Sequence, residues 1–181
     1  IGNYMKLLVT GGLGFIGSNF ILKLLNETDE FDIINVDAEL YGAEQKNLDS
    51  IKNHEKYEFV KGNITNKRLM EELISKCDAV VNFAAESFVD RSISNADPFL
   101  VSNIRGAFTI LDIITKQKKR MIQISTDEVF GSLSKGSADE QAKFNPSSPY
   151  AATKAAAELL IKSFSVTYDS DVVITRCTNN Y

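Results

Sequence analysis

Short apolar runs alternate along the chain with longer stretches in which apolar residues recur at helical spacing. The short runs are nearly continuous in valine, isoleucine and leucine, as is typical of strands buried on both faces. This pattern predicts strands at 6–11, 31–37, 57–64, 78–86, 120–126 and 171–177. Helical periodicity predicts helices at 15–27, 67–77, about 95–118 and 148–168. Such alternation favours an α/β fold, a doubly wound parallel sheet with helices on both faces.

Composition and charge narrow the classes of protein that fit this pattern. The chain has 181 residues, 44% of them hydrophobic, and a formal net charge of -4. That length and apolar content suit one globular domain with a sizeable core. The negative charge gives no general attraction to nucleic acid or to an anionic membrane, so neither is an expected partner. No apolar run approaches the roughly 20 residues of a membrane span. The start, IGNYMKLLVTGG, lacks the regions of a signal peptide, which predicts a cytoplasmic protein.

The histidine and cysteine content argues against several kinds of site. His54 is the only histidine, and its polar surroundings predict a surface position. A Ser-His-Asp triad and a histidine-rich zinc site are therefore not expected, and no metal site is predicted. Cys77 and Cys177 are far apart and lie next to apolar runs. They are predicted to be buried reduced thiols rather than a disulfide or a nucleophile.

A glycine-rich turn joins the first predicted strand to the first predicted helix. The segment TGGLGFIG spaces Gly11, Gly14 and Gly17 as G-x-x-G-x-x-G, and Phe15 and Ile16 lie within it. Glycines let the backbone approach a pyrophosphate, and the helix N-terminus adds amides and a partial positive charge. Glycines also punctuate ordinary turns. The strand–turn–helix context favours a Rossmann-type dinucleotide site over that alternative.

An acidic residue ends the second predicted strand. Asp37 follows Gly17 by 20 residues. A carboxylate there can accept hydrogen bonds from the ribose hydroxyls and would repel a 2′-phosphate, which favours NAD over NADP as cofactor. Asn63 and Ile64 follow the third strand, where they either border the adenine or merely form a turn.

A tyrosine and a lysine lie four residues apart in the segment PSSPYAATKAAAELL. On a helix this spacing puts Tyr150 and Lys154 on one face, with Tyr150 in the first turn after Pro149. An ammonium and a helix N-terminus both stabilise a phenolate, so Tyr150 is predicted to act as a base near neutral pH. The alternative is a packed surface tyrosine. A second pair of the same spacing, Tyr57 and Lys61, lies on a predicted strand and is interpreted as structural.

Four segments carry a resemblance to a known family: AAESFVDRSI (84–93), STDEVFG (125–131), SPYAATKAA (148–156) and TRCTNNY (175–181). With the glycine turn and Asp37, they resemble the extended short-chain dehydrogenases/reductases that act on nucleotide sugars. Within that branch they closely resemble the dTDP-glucose 4,6-dehydratases. The resemblance runs from about Met5 to Tyr181, and the segments containing STDEV and AAES are more specific than the glycine turn.

The resemblance implies an NAD-dependent reaction in three stages. The sugar is oxidised at C4, water is eliminated across C5 and C6, and the hydride returns to C6. Elimination needs a base at C5 and an acid at the C6 hydroxyl, and the resemblance implies Glu128 and Asp127 for these roles. Repulsion between adjacent carboxyls would raise one pKa. Thr126 and Tyr150 would contact the C4 oxygen, with Lys154 completing the catalytic set.

The resemblance also implies contacts for residues at other strand ends. Phe83, Ala84, Ala85 and Glu86 would line the cofactor, and Ser102 and Asn180 would contact it as well. Ser87 would reach the sugar, and Asn179 the substrate diphosphate. For each of these, ordinary turn or capping chemistry is the alternative. Departures from the family pattern are Phe88 for histidine, Phe130 for tyrosine and Asn63 for aspartate.

Two other functions share part of this pattern. A nucleotide-sugar 4-epimerase or decarboxylase would use the same cofactor residues but would not need the acid pair. A non-catalytic NAD-binding domain fits as well, because related proteins continue into a smaller C-terminal substrate domain. Residues 1–181 are therefore predicted to form the NAD-binding domain without that substrate domain. The family commonly dimerises through long helices, which implies a homodimer through 95–118 and 148–168, unless those helices only cover the sheet.

Overall fold

The computed structural model describes residues 4–132 and 135–181. In this part of the chain, six parallel strands form one sheet in the order β3-β2-β1-β4-β5-β6. The strands are β1 Met5–Thr10, β2 Phe31–Asp37, β3 Tyr57–Lys61, β4 Ala79–Asn82, β5 Arg120–Thr126 and β6 Val172–Cys177. The strand order reverses direction between β1 and β4, which opens a crevice at the carboxyl ends of the strands. The predicted doubly wound α/β fold is confirmed.

Helices cover both faces of the sheet. They are α1 Phe15–Glu27, α2 Lys67–Ser75, α3 Val89–Ser94, α4 Asp97–Phe99, α5 Ala107–Gln117 and α6 Pro149–Tyr168, with a 3₁₀ helix at Gln45–Ile51. Alternate residues of β1 enter two different cores. Leu7 and Val9 pack with α1, whereas Leu8 packs in the core that includes residues of α2, α5 and α6. Burial on both faces explains why the strand sequences are nearly continuous in apolar residues.

Two strands are shorter than their apolar runs predicted. β3 ends at Lys61 rather than 64, and β4 is only Ala79–Asn82 although the run continues to residue 86. The residues after Asn82 leave the ladder, and Phe83 to Glu86 line the crevice instead. Apolar side chains that line a crevice and those that fill a core follow the same sequence pattern.

The predicted helix at 95–118 is regular only in its second half. It consists of α4, a π-helical segment at Leu100–Gly106, and α5. In the π-helical segment the Asn103 side chain faces Glu86: its Nδ2 donates to the Glu86 carbonyl at 2.9 Å, and its Oδ1 accepts from the Glu86 N–H at 2.8 Å. Asn103 Nδ2 also donates to Thr153 Oγ1 at 3.0 Å. The segment after β4 is thereby fixed to α6.

A buried ion pair links α6 to β6. Arg176 Nε donates to Glu158 Oε1 at 3.0 Å, and its Nη2 donates to Oε2 at 2.6 Å. Glu158 is 0% exposed. The guanidinium also lies over Phe130 and Phe144, 5.1 and 5.5 Å from the ring centroids. This arrangement anchors Phe144, in the segment before α6, against the sheet.

We expect Arg176→Met to destabilise the fold by about 3–5 kcal/mol, because it leaves the buried Glu158 carboxylate without its partner. Urea unfolding at pH 7 measures the loss. Adding Glu158→Leu to that variant should restore most of the stability. Arg120→Met serves as the control, since the Arg120–Asp171 pair is exposed and should contribute far less. Equal losses for Arg176→Met and Arg120→Met would contradict this account.

Candidate active site

A cleft of about 410 Å³ opens at the carboxyl ends of the strands. It receives the loops that follow β1, β2, β3, β4, β5 and β6, and the first turn of α6. All the site residues predicted from the sequence line this one cleft: Gly11, Gly14, Phe15, Ile16, Gly17, Asp37, Asn63, Ile64, Phe83, Ala84, Ala85, Glu86, Ser87, Ser102, Thr126, Asp127, Glu128, Tyr150, Lys154, Asn179 and Asn180. The structure thus brings the set together, while the role of each residue stays a prediction.

The glycine turn forms a cradle that has no room for side chains at Gly11 and Gly17. Gly11 has a φ of 71°, and a Cβ there would lie 2.6 Å from the backbone of Ala84. A Cβ on Gly17 would lie 2.5 Å from the Gly11 carbonyl oxygen. Helix α1 begins directly after its N-cap, Gly14, which has no side chain to occupy the first N–H groups. Close backbone approach and free helix-terminal amides are what a pyrophosphate requires.

Side chains of β2 hold this turn in place. Asn35 Oδ1 accepts from the Gly12 N–H at 3.1 Å, and Asp37 Oδ2 accepts from the Leu13 N–H at 3.0 Å. Asp37 Oδ1 accepts from the Glu39 N–H at 2.8 Å. Burial raises the pKa of Asp37, and the two backbone hydrogen bonds act against that rise. The second lone pairs of both carboxylate oxygens remain available for hydroxyl donors.

The second Tyr-x-x-x-Lys pair, Tyr57 and Lys61, contacts other side chains of the protein rather than the cleft. Tyr57 and Lys61 lie on β3, as predicted. The Tyr57 hydroxyl accepts from Asn35 Nδ2 at 2.9 Å, and Lys61 pairs with Glu39. Neither residue lines the cleft.

Tyr150 lies in the first turn of α6, as predicted. Ser148 caps the helix by accepting from the Ala151 N–H at 3.1 Å, and Pro149 is the first helical residue. Burial raises the pKa of Tyr150 to about 12, repulsion from Glu128 adds to the rise, and the Thr126 hydroxyl acts against it. Burial thus outweighs the stabilising groups in the ligand-free chain, and the role of Tyr150 as a base near neutral pH stays a prediction.

Lys154 is buried one helical turn after Tyr150. Its Nζ donates to the Ile124 carbonyl oxygen at 2.7 Å. Burial lowers the pKa of this ammonium to about 8, with the nearby Cys177 and Glu158 acting in the opposite direction. At physiological pH the lysine is therefore still mostly protonated, although it releases its proton far more readily than an exposed lysine.

A row of buried polar side chains crosses the sheet beneath the cleft. Thr10 pairs in register with Asn82, and Asn82 with Gln123. Thr10 Oγ1 donates to Asn82 Oδ1 at 2.5 Å, and Asn82 Nδ2 donates to Gln123 Oε1 at 2.8 Å. Gln123 Nε2 then donates to the Ile124 carbonyl at 2.9 Å, the same oxygen that accepts from Lys154. These hydrogen bonds offset the cost of burying polar groups in the sheet and fix the acceptor of the lysine.

Asp127 and Glu128 begin a short 3₁₀ helix, Asp127–Phe130, directly after β5. Thr126 caps it, since its Oγ1 accepts from the Glu128 N–H at 3.2 Å. Both carboxyls lie on the cleft lining together with Tyr150. Although Glu128 is exposed to the cleft, partial desolvation by the cleft wall raises the pKa of its carboxyl, and repulsion from Asp127 adds to the rise. The sequence predicted that one pKa of the pair would rise, and Glu128 is that residue.

Several cleft residues were not predicted as site residues. Tyr41 follows β2, and its ring meets that of Phe88 edge-on with centroids 4.8 Å apart. The Arg91 guanidinium lies 4.1 Å from the Tyr41 ring centroid, and its Nη1 donates to Glu86 Oε2 at 2.9 Å. These contacts join the loops after β2 and β4 across the mouth of the cleft. Their position just after predicted strands was the signal in the sequence that could have identified them as cleft residues.

The cysteines are both free thiols, but only one is fully buried. Cys77 lies in the core, where burial raises its pKa to about 11. Cys177 is half-buried and lines the cleft, so the prediction of two buried thiols is wrong for this residue.

His54 is half-buried, and its Nδ1 accepts from the Lys56 N–H at 3.2 Å. Within the described ranges, no group of three or more histidine, cysteine or acidic side chains could hold a metal ion. None of the helices described is long and apolar enough to cross a membrane.

Fold and site together define a Rossmann-like protein of the dehydratase and epimerase class. The chain belongs to the GDP-mannose 4,6 dehydratase family, whose model matches residues 8–181. It is 44% identical to the low-salt glycan biosynthesis protein Agl12 of Haloferax volcanii, over 98% of this chain and 57% of that protein. It is 41% identical to the dTDP-glucose 4,6-dehydratase of Mycobacterium tuberculosis H37Rv, over 98% of this chain and 54% of that protein. The chain thus spans about half the length of the curated relatives it matches.

Solved structures of related enzymes match the fold closely. DesIV, the dTDP-glucose 4,6-dehydratase of Streptomyces venezuelae with NAD and TYD bound, superposes with a TM-score of 0.94 at 41% identity, covering 98% of this chain and 56% of DesIV. The UDP-N-acetylglucosamine 4-epimerase of Methanobrevibacter ruminantium M1 superposes with a TM-score of 0.87 at 30% identity, covering 96% of this chain and 55% of that enzyme. Dehydratases and epimerases therefore share this fold, and dehydratases are the more similar in sequence.

Proposed function

We propose that this chain is the cofactor-binding part of an NAD-dependent nucleotide-sugar 4,6-dehydratase that acts on dTDP-glucose. The observation that carries the proposal is that Asp127, Glu128 and Tyr150 line one cleft. Oxidation at C4 and return of a hydride require one acid–base group, but elimination of water requires two more. The sequence similarity to dTDP-glucose 4,6-dehydratases supports the same substrate class.

The residues of the cleft fit NAD. The glycine cradle leaves no room for a Cβ at Gly11 or Gly17 and lets the backbone approach a pyrophosphate, and Asp37 offers acceptors for ribose hydroxyls at the end of β2. Phe83 to Glu86, Asn63, Ile64, Ser102 and Asn180 would complete the cofactor contacts. When bound, NAD supplies the hydride acceptor and donor of the reaction. DesIV, solved with NAD, supports this cofactor.

The chain's own side chains would move the protons. Thr126 and Tyr150 would hold the C4 oxygen, and Tyr150 would take its proton. Glu128 would remove the C5 proton, a role for which its raised pKa makes it a stronger base than an ordinary glutamate. Asp127 would protonate the departing C6 hydroxyl. Ser87 and Asn179 would contact the sugar and the diphosphate.

The direct test incubates the gene product that contains this chain with candidate nucleotide sugars and follows the products by mass spectrometry. Loss of one water from dTDP-glucose, with formation of a 4-keto-6-deoxy sugar, is the expected result. Turnover of a UDP-sugar without loss of water would support the alternative, a 4-epimerase, a function also found among solved structures at 26–30% identity. Tight binding of NAD without binding of any sugar nucleotide would support a non-catalytic NAD-binding domain.

We expect the chain to bind NAD at least about 10-fold more tightly than NADP, because the buried Asp37 carboxylate repels a 2′-phosphate. Asp37→Asn should narrow this ratio, since it removes the charge and keeps one acceptor oxygen. Asp32→Asn, at the other end of β2, is the matched control and should leave the ratio unchanged. Isothermal titration with both dinucleotides measures it. An unchanged ratio in Asp37→Asn would contradict the assigned role.

A homodimer through the long helices also stays a proposal. Their inner faces are core, but Phe108 on α5 and Leu159 on α6 are exposed apolar side chains, and such patches mark interfaces. We expect light scattering to give twice the mass of one chain. The pair Phe108→Glu and Leu159→Glu should give a monomer, whereas Ile93→Glu, at an even more exposed apolar site on α3, should not. A monomeric wild-type chain at high concentration would contradict the proposal.

Two further predictions from the sequence remain predictions: that residues 1–181 form one NAD-binding domain, and that the protein is cytoplasmic.

A further inference from the structure

Ser125 has a buried hydroxyl that the protein leaves without a hydrogen bond. The residue is the penultimate one of β5 and is 4% exposed. Among the residues that the structure describes, its Oγ is the one buried side-chain polar atom without a partner. Leaving such a group unsatisfied costs stability, so each case calls for an explanation.

Several polar groups near Ser125 are already paired with other groups. Gln123, two residues earlier on the same face of β5, is held in the hydrogen-bonded row with Asn82 and Thr10. The Ser125 carbonyl accepts from Cys177 Sγ at 3.5 Å, and Lys154 Nζ is directed to the Ile124 carbonyl. No described group of the chain pairs with the Ser125 hydroxyl, which leaves it free to bond a molecule bound in the cleft.

Ser125 lines the cleft beside Thr126, Tyr150 and Lys154. In the sheet order, β5 is two strands from β1, which carries the glycine turn, and three from β2, which carries Asp37. With strands about 4.8 Å apart, β5 lies roughly 10–14 Å from those two sites. A dinucleotide with its adenosine at Asp37 and its pyrophosphate at the glycine turn would bring its other half to β5.

We propose that the Ser125 hydroxyl hydrogen-bonds the nicotinamide–ribose half of the bound dinucleotide. This inference rests on the proposed NAD cofactor. Ser125 is then a cofactor contact distinct from the residues that move protons, and its unsatisfied hydroxyl is a group kept ready for the ligand.

The test is Ser125→Ala, because the two states of the protein should respond in opposite directions. Without ligand, the substitution removes an unsatisfied buried group, so the melting temperature should rise or stay unchanged. With ligand, a hydrogen bond is lost, so the Kd for NAD should rise about 3- to 10-fold. Differential scanning calorimetry and isothermal titration measure the two effects.

Ser170→Ala is the matched control. Ser170 is similarly buried, at 8% exposed, but its hydroxyl is bonded to Thr115 Oγ1 at 2.6 Å, away from the cleft. This substitution should lower the melting temperature and leave the Kd for NAD unchanged. A loss of melting temperature in ligand-free Ser125→Ala comparable to that in Ser170→Ala would overturn the proposal, since it would indicate a structural partner such as a buried water.

Truncated ligands locate the contact. AMP should bind wild type and Ser125→Ala equally, because it carries only the adenosine half. Weaker binding of both NAD and ADP-ribose to the variant would place the bond on the nicotinamide-side ribose, and weaker binding of NAD alone would place it on the nicotinamide. An unchanged Kd for NAD, or an equal loss for AMP, would overturn the proposal. If wild type itself binds no NAD, the proposed cofactor fails and this inference fails with it, an outcome readily told apart from failure of the variant alone.

Discussion

The variant Asp127→Asn with Glu128→Gln should lose about 10²- to 10⁴-fold of the dehydration rate, because it removes both groups proposed for elimination of water. Both changes are isosteric, and both side chains are exposed to the cleft rather than packed in the core. Folding and NAD affinity should therefore be nearly unaffected. The measurement is formation of the 4-keto-6-deoxy product from dTDP-glucose by the gene product, alongside NAD titration of the same samples.

A second adjacent acid pair supplies the control. Asp139 and Glu140 lie in the loop before α6, outside the cleft, and Asp139→Asn with Glu140→Gln should leave turnover intact. Retained activity in the Asp127/Glu128 variant would refute the assigned roles. The pH profile adds a separate check. Glu128 must be unprotonated to act as a base, so the rate should fall as pH drops through a pKa above the ordinary glutamate value of 4.5.

Lys154→Met should abolish most of the turnover and yet make the ligand-free protein more stable at pH 7. Burial lowers the pKa of Lys154 from 10.5 to about 8, which means that the fold disfavours the charged amine. Between pH 8 and about 10.4 the unfolded chain binds more protons at this residue than the folded chain, so wild-type stability should rise with pH in that window. Below pH 8 the lysine is protonated in both states, and the full cost of its buried charge is present.

Urea unfolding at pH 7 and pH 10 separates these effects. The wild type should gain stability relative to Lys154→Met on the order of 3 kcal/mol across the window. Lys162→Met, an exposed position on the same helix, should show no such dependence. Catalysis in Lys154→Met should fall by about 10²-fold or more, because Tyr150 loses the cation one turn away. A Lys154→Met protein that is less stable than wild type at pH 7 would show that the hydrogen bond to Ile124 outweighs the buried charge.

The fold and the residues that line the cleft could be predicted from the sequence, because both depend on where the strands end. Apolar runs located each strand, and parallel strands bring their carboxyl ends to one edge, so Asp37, Thr126 and Asn180 meet although they are distant in the chain. The predicted end of β4 was wrong because Phe83 and its apolar neighbours line the cleft and are not part of the strand. Hydrophobic pattern alone does not distinguish those two environments.

The protonation of the site could not be predicted, because it depends on packing. The sequence placed Lys154 beside Tyr150 but could not show that its ammonium donates to the Ile124 carbonyl, 30 residues earlier. Nor could it show that burial would raise the pKa of Tyr150 to about 12. Tyr41 and Phe88 were missed as cleft residues for a similar reason, since their contact joins two loops that are remote in sequence.

The π-helical segment at Leu100–Gly106 makes the number of residues in this helix as important as their identity. A π-helical turn accommodates one residue more than an α-helical turn. Deleting one residue here would convert the segment to α-helix and leave the flanking helices close to their present orientation, because the wider turn already accommodates the extra residue. The residues within the segment would shift around the helix axis, so the Asn103 amide would lose its present position opposite Glu86. We therefore expect natural descendants of this chain to tolerate substitutions in this segment more readily than changes in its length.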